Sequence, residues 1–184
     1  MCGRFSEVEK PASSPRNLIR ASLGSFSWKL VVAAKRTFEN ALERVRHTFG
    51  LCVYGYVIMT EHVHLLLSEP QKQALADALK SLKQCASRRL IGEAEHFRQK
   101  RYYDFNIRNY RQFVEKLRYI HRNPVARGLC EKPEDWEWSS FLQYATGCEG
   151  RVEIECEWTA RKRERAAGRL RPSVELPDSS QNRA

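Results

Sequence analysis

The sequence predicts an α+β domain followed by a charged tail, and three observations carry that expectation. "CVYGYVI" (52–58) and "HVHLLLS" (62–68) are β-branched, aromatic and apolar runs of strand length, separated only by "MTE". Three other stretches repeat apolar residues at helical spacing. The 184 residues suffice for one domain of ordinary size, with some length left for tails.

Along the chain, residues 1–25 are rich in Ser, Pro and Arg, show no sustained period and are expected to form a loosely ordered arm. "SFSWKLVVA" (25–33) is a candidate strand. From Lys35 to Gly50, Phe38, Ala41, Leu42, Val45 and Phe49 recur as one helical face, and Gly50 is placed to stop the helix. The runs at 52–58 and 62–68 read as one interrupted strand or a tight pair, ended by Pro70.

A second helix spans Gln73 to about Leu90, with Leu75, Leu79, Leu82, Ala86 and Leu90 inward and Lys80, Lys83, Arg88 and Arg89 on its other face. "HFRQKRYYDFNIRN" (96–109) reads as a basic, aromatic loop with room for a short strand. A third helix starts at Asn109, a fair N-cap, turns Phe113, Leu117 and Ile120 inward, and is expected to stop near Asn123 because Pro124 follows. "EDWEWSSFLQYATG" (134–147) offers Trp136, Trp138, Phe141 and Tyr144 as a last piece of core. Residues 26–147 are thus the expected domain and 148–184 a charged tail, partly helical and then disordered.

Charge narrows the class of partner. The chain carries a formal net charge of +10, and thirteen basic residues against four acidic ones between Lys80 and Arg127 account for +9 of it. Such a balance points to a polyanion, nucleic acid before membrane. Tyr102, Tyr103, Phe105 and Tyr110 lie among these charges, as stacking on unpaired bases beside a backbone track requires; a solvated basic face with ordinary core aromatics is the plainer alternative. No run of about 18 apolar residues is present, so no membrane association is expected. The N-terminus lacks a signal-like apolar stretch, and the expected location is the cytoplasm. Six cysteines without any C-x-x-C pair fit free thiols in a reducing compartment better than a zinc site.

The chemistry starts from "EHVH" (61–64). On a strand, residues i and i+2 share a face, so His62 and His64 present their imidazoles side by side, half of a divalent-metal site or simply a polar patch. On the third helix, at about 100° per residue, Tyr119 falls well off the arc of Phe113, Leu117 and Ile120, with Asn123 about 40° from it. Tyr119 is therefore either a half-exposed tyrosine against a basic helix or a phenol offered to a neighbour.

Taken together, "EHVH", the basic helix after it, "KRYYDFNIRNY", "YIHRNPVARGLC" and "DWEWSSF" resemble the REP-associated tyrosine transposases, a branch of the HUH single-strand transposases, from about Phe38 to Tyr144. The resemblance implies a ferredoxin-like antiparallel sheet with helices packed on one side. It implies Tyr119 as nucleophile and His62, His64 and Asn123 as ligands of Mg²⁺ or Mn²⁺, with Glu61 and His121 in supporting positions. It also implies a single-stranded DNA substrate folded into a hairpin, cleaved and rejoined through a 5′-phosphotyrosine. The strand would be met by Lys80, Lys83, Arg88, Arg89, Lys100, Arg101, Tyr102, Tyr103, Arg108, Arg118, Arg122 and Arg127. A phenol titrates near about 10, and Arg118, Arg122 or Lys116 would supply positive potential beside it. A monomer is expected rather than a dimer.

Three departures stand out. Family members open with a regular first strand beside the histidine strand, of which "FSWKLVVA" would be a remnant; Arg98 stands where tryptophan is common, and Thr60 where proline is frequent. These leave open a catalytically decayed, ferredoxin-like nucleic-acid-binding protein. Two further alternatives are a structural metal protein using the histidine pair and, from "MCGRF", a protein that crosslinks abasic DNA through Cys2.

Overall fold

The computed structural model describes residues 17–22, 32–90 and 103–168, with backbone alone for 17–22, 87–90 and 103–104. The first elements are β1 (Asn17–Ser22), α1 (Val32–Phe49), β2 (Val53–Ile58), β3 (His62–Leu67), α2 (Leu75–Leu90) and β4 (Tyr103–Asn106). They are followed by α3 (Tyr110–Ala126), a 3₁₀ turn (Pro133–Asp135), α4 (Phe141–Thr146) and α5 (Glu157–Ala166). The expected mixture of helix and sheet is what forms.

The four strands make one sheet in the order β2-β3-β1-β4, every pairing antiparallel. β2 and β3 are a tight pair rather than one broken strand, joined through Met59, whose N–H donates to the His62 carbonyl at 2.8 Å. β3 is central. Its partners include Arg20↔His64 and Ser22↔His62 on one side and Val57↔His64 on the other, so both histidines sit where the backbone is held from two directions.

This pairing corrects the reading of the N-terminal arm. The first strand is "NLIRAS", 17–22, inside the segment expected to be loosely ordered. "FSWKLVVA" is not the described strand: residues 25–31 lie outside the described residues, and α1 begins at Val32. Only six residues long and polar at both ends, β1 has little pattern of its own, and its order comes from bonding to chain 40 or more residues away.

Each face of the sheet has its own core. Val63, Leu65 and Leu67 meet α1 and α2 through Phe38, Leu42, Val45, Leu79 and Leu82. Leu66, Tyr54, Val57 and Met59 face the other way, onto Phe113, Leu117 and Ile120 of α3. The helices therefore do not all pack on one side. Every residue of β2 and β3 is buried, and a strand apolar on both faces needs cover on both.

α1 ends as its sequence requires, with Gly50 at φ 62°. α3 starts where expected: the Asn109 side chain accepts from the Gln112 N–H at 2.9 Å. Its end is later than expected, because Pro124 is accommodated inside the last turn and the helix runs on to Ala126. A proline near a helix C-terminus forfeits one hydrogen bond, and the burial of Asn123 and Pro124 holds the turn in place.

The outer edge of β2 is covered by later chain. Ser139 bridges Val57, Ile154 bridges Val53, and the Trp136 indole N–H donates to the Ile58 carbonyl at 3.1 Å. Val152, Ile154 and Cys156, placed in the expected tail, belong to the core under α1. α5 is tied down by ion pairs of Arg163 with Glu153 and Glu155. Among the described residues no helix is long and apolar enough to cross a membrane.

Candidate metal and nucleophile site

His62 and His64 point to the α3 face of the sheet, and α3 lies across that face. Both imidazoles are buried, and their Nε2 atoms converge to 3.0 Å. Two nitrogens bound at right angles to one ion at about 2.1 Å lie about 3.0 Å apart, so this spacing suits a shared cation as well as a hydrogen bond between rings.

From α3, Asn123 reaches the same point: its Nδ2 lies 3.2 Å from His64 Nε2. Its Oδ1 is buried with no hydrogen-bond partner among the described residues. A half-turn of the carboxamide exchanges the two atoms and brings a hard oxygen donor onto the imidazoles. Two imidazole nitrogens and an amide oxygen are a chemically reasonable set for a divalent ion, and they fit the implied metal. Imidazole and carboxamide ligands bring no negative charge of their own, which would leave the ion's charge for an anionic substrate. No group of three or more His, Cys, Asp or Glu suited to a metal occurs among the described residues.

Tyr119, one turn before Asn123, sets its ring edge-on to His64 with centroids 5.3 Å apart, and half of the residue is exposed. It is the one large aromatic of α3 turned to solvent beside the buried imidazoles. The phenol is thus open to a substrate while its ring is held by the sheet.

The other residues fall in two groups. His121 is buried away from the pair: its Nε2 lies 2.8 Å from Ser140 Oγ and its ring packs on Phe141 and Tyr144. Burial pushes its pKa down to about 3, so it is a neutral ring within the core. Glu61 is exposed in the β2–β3 turn, with no hydrogen bond or ion pair found for it among the described residues.

Arg108, Arg118, Arg122 and Arg127 are exposed on or next to α3, on the side of the sheet that carries the imidazoles. Lys116 is turned elsewhere, with Nζ 4.5 Å over the Phe105 ring. Lys80 and Lys83 sit on α2, which covers the opposite face of the sheet, and burial lowers the pKa of Lys83. The side chains of Arg88, Arg89 and Tyr103, and the whole of Lys100, Arg101 and Tyr102, lie outside what is described.

Two residues that sequence reasoning passed over shape this site. Gly55 faces α3 across from Leu117, and Ser140 bonds both β2 and His121. A glycine between two tyrosines in an otherwise bulky strand was the available signal, since such a residue marks a close approach of another segment.

Residues 30–121, half of the chain, match the protein family described as "Transposase IS200 like". The chain is 27% identical over 117 residues to a Haemophilus influenzae protein that carries the name of a REP-associated tyrosine transposase. That match takes in 56% of this chain and 66% of the relative, so it spans just under two thirds of the relative's length. Among solved structures, a REP-associated tyrosine transposase bound to a REP hairpin superposes with a TM-score of 0.64 at 18% identity, covering 81% of this chain and 91% of the other. At that identity the likeness shows a common fold.

Proposed function

The chain belongs to the IS200-like transposase family, and from that premise we propose that it is a metal-dependent single-stranded DNA transposase that cleaves and rejoins REP-type hairpin DNA through Tyr119. One observation carries the reading: Tyr119 and Asn123 on α3 meet His64 on β3, placing an exposed phenol beside a buried set of nitrogen and oxygen donors.

In this reading the Tyr119 phenolate attacks the scissile phosphorus. A Tyr–O–P bond forms, the P–O3′ bond breaks, and its electron pair leaves with O3′, which takes a proton to become a free 3′-OH. The 5′-phosphotyrosine keeps the energy of the phosphodiester, so a 3′-OH can reverse the step and join strands without another energy source. His62, His64 and Asn123 would hold Mg²⁺ or Mn²⁺, which when bound supplies positive charge to a non-bridging phosphate oxygen. Arg118 and Arg122, exposed on α3 near Tyr119, are placed to meet flanking phosphates. Burial of the imidazoles fixes their orientation before DNA arrives, and the antiparallel neighbours of β3 keep that strand from shifting. The protein acts as a monomer in the cytoplasm.

The test is a covalent band. Purified protein is mixed with hairpin oligonucleotides carrying single-stranded flanks and with Mg²⁺ or Mn²⁺, then run on a denaturing gel. Wild-type protein is expected to give a protein–DNA adduct that needs the metal, and Tyr119→Phe to bind the hairpin without forming it. Hairpin binding with no adduct from wild-type protein under any metal would return the alternative of a decayed binding protein.

A further inference from the structure

α3 carries both Tyr119 and Asn123, so the distance at which it stands from the sheet decides whether either reaches His64. One close approach between helix and sheet bears on that distance. Gly55 lies next to the irregular step in β2, where the register with β3 shifts between Val53 and Gly55. A Cβ built at Gly55 would lie 2.7 Å from Leu117 Cδ1 and 3.4 Å from Ser140 Oγ. Carbon atoms in contact rest at about 3.5–4.0 Å, so a side chain here would need about 1 Å of room. Leu117 is itself only 3% exposed and packs among Tyr54, Leu66, Phe113 and Ile120, which limits how far its tip can turn aside.

We propose that Gly55 is a positioning residue for the site: its missing side chain is the recess that seats Leu117, and this contact sets the height of α3 and so the approach of Tyr119 and Asn123 to His64. The inference rests on reading these residues as the transposase site. Leu117 lies two residues before Tyr119 and six before Asn123, close enough along a stiff helix for a displacement at the recess to be felt at both. The His121–Ser140 contact, 2.8 Å, pins the next turn of α3 to the chain that covers β2. Bulk at position 55 would therefore lift or tilt α3 rather than slide it.

The experiment uses Gly55→Val, the milder Gly55→Ala, and Gly55→Val combined with Leu117→Ala, which removes three carbons where three were added. Each is read for thermal unfolding, hairpin affinity, single-turnover adduct rate and crystal structure. Gly55→Val is expected to keep hairpin affinity within about threefold while its adduct rate falls about a hundredfold, the penalty of an ångström's misplacement. The paired variant is expected to recover most of that rate. In the crystals the 3.2 Å contact between Asn123 Nδ2 and His64 Nε2 should open beyond about 4 Å in Gly55→Val and close again in the pair. Should Gly55→Val not fold, Gly55→Ala carries the test with a smaller opening in the same direction. An intact 3.2 Å contact or an unchanged adduct rate in the folded variant overturns the proposal, as does a pair that regains stability without regaining rate. If wild-type protein forms no adduct at all, the transposase reading fails instead, and the crystal distances alone decide whether Gly55 sets the height of α3.

Discussion

Replacing Ser140 by alanine tests how the helix that carries Tyr119 is held to the sheet. Ser140 Oγ accepts from the Tyr56 N–H at 3.0 Å and lies 2.8 Å from His121 Nε2 and 3.3 Å from the Tyr56 carbonyl. The arrangement with fewest unmet donors has His121 Nε2–H donating to Oγ and the hydroxyl proton on the Tyr56 carbonyl. Ser140→Ala then strands two buried donors, Tyr56 N–H and His121 Nε2–H; the Tyr56 carbonyl still accepts from the Ser140 N–H at 3.0 Å. A buried polar group left without a partner costs about 1–3 kcal/mol, so two donors cost about 3 kcal/mol if each falls in the lower half of that range, at about 1.5 kcal/mol. For a chain of this size that is a fall of about 6–12 °C in melting temperature. Urea unfolding of the wild type, Ser140→Ala, His121→Phe and the double variant should resolve a coupling of about 1–2 kcal/mol, since the double variant leaves no orphaned imidazole donor. A loss under about 0.5 kcal/mol for Ser140→Ala, or strictly additive single and double changes, would refute the argument.

Two further outcomes follow from the same geometry. Asn123→Ala should raise the Mn²⁺ concentration for half-maximal adduct formation at least about tenfold while leaving metal-free hairpin affinity unchanged, and an unaltered metal requirement would remove Asn123 from the ligand set. His121 titrates near about 3 in the folded chain against an ordinary 6.5. Its folded pKa is depressed, so the unfolded chain binds the proton first: its contribution is whole above about pH 6.5 and is lost as pH falls toward 3. Lowering the pH from 7.5 to 5 should cost about 2 kcal/mol of stability through this residue, and His121→Phe should flatten that part of the profile in denaturation measured across pH.

Local pattern was enough for much of the fold. The stripe from Phe38 to Phe49 with Gly50 after it, the stripe of α2, and the Asn109 cap of α3 all depend on neighbours within a turn or two, and they are where their residues put them. The pair of runs around "MTE" needed only three residues to close. β1 was illegible because its pairing with β3 is non-local and its six residues have no strong alternation. The end of α3 was misplaced for a related reason: Pro124 argues locally for a stop, and tertiary burial overrides it. Val152, Ile154 and Cys156 were hidden in a charged composition, though each packs beneath α1.

For the site, sequence by itself determined which side chains share a face: His62 with His64 by the two-residue period of a strand, Tyr119 with Asn123 by the turn of a helix. What only the tertiary structure decided is that the two faces meet. α3 crosses the imidazole side of the sheet while α1 and α2 take the other, which divides Lys80 and Lys83 from Arg118 and Arg122. At that crossing Gly55 meets Leu117 and Ser140 meets His121, residues 62 and 19 positions apart in the chain and brought together by neither helical nor strand period but by contact alone. Periodicity reports what one element presents; which element it is presented to depends on packing that no single stretch of chain contains.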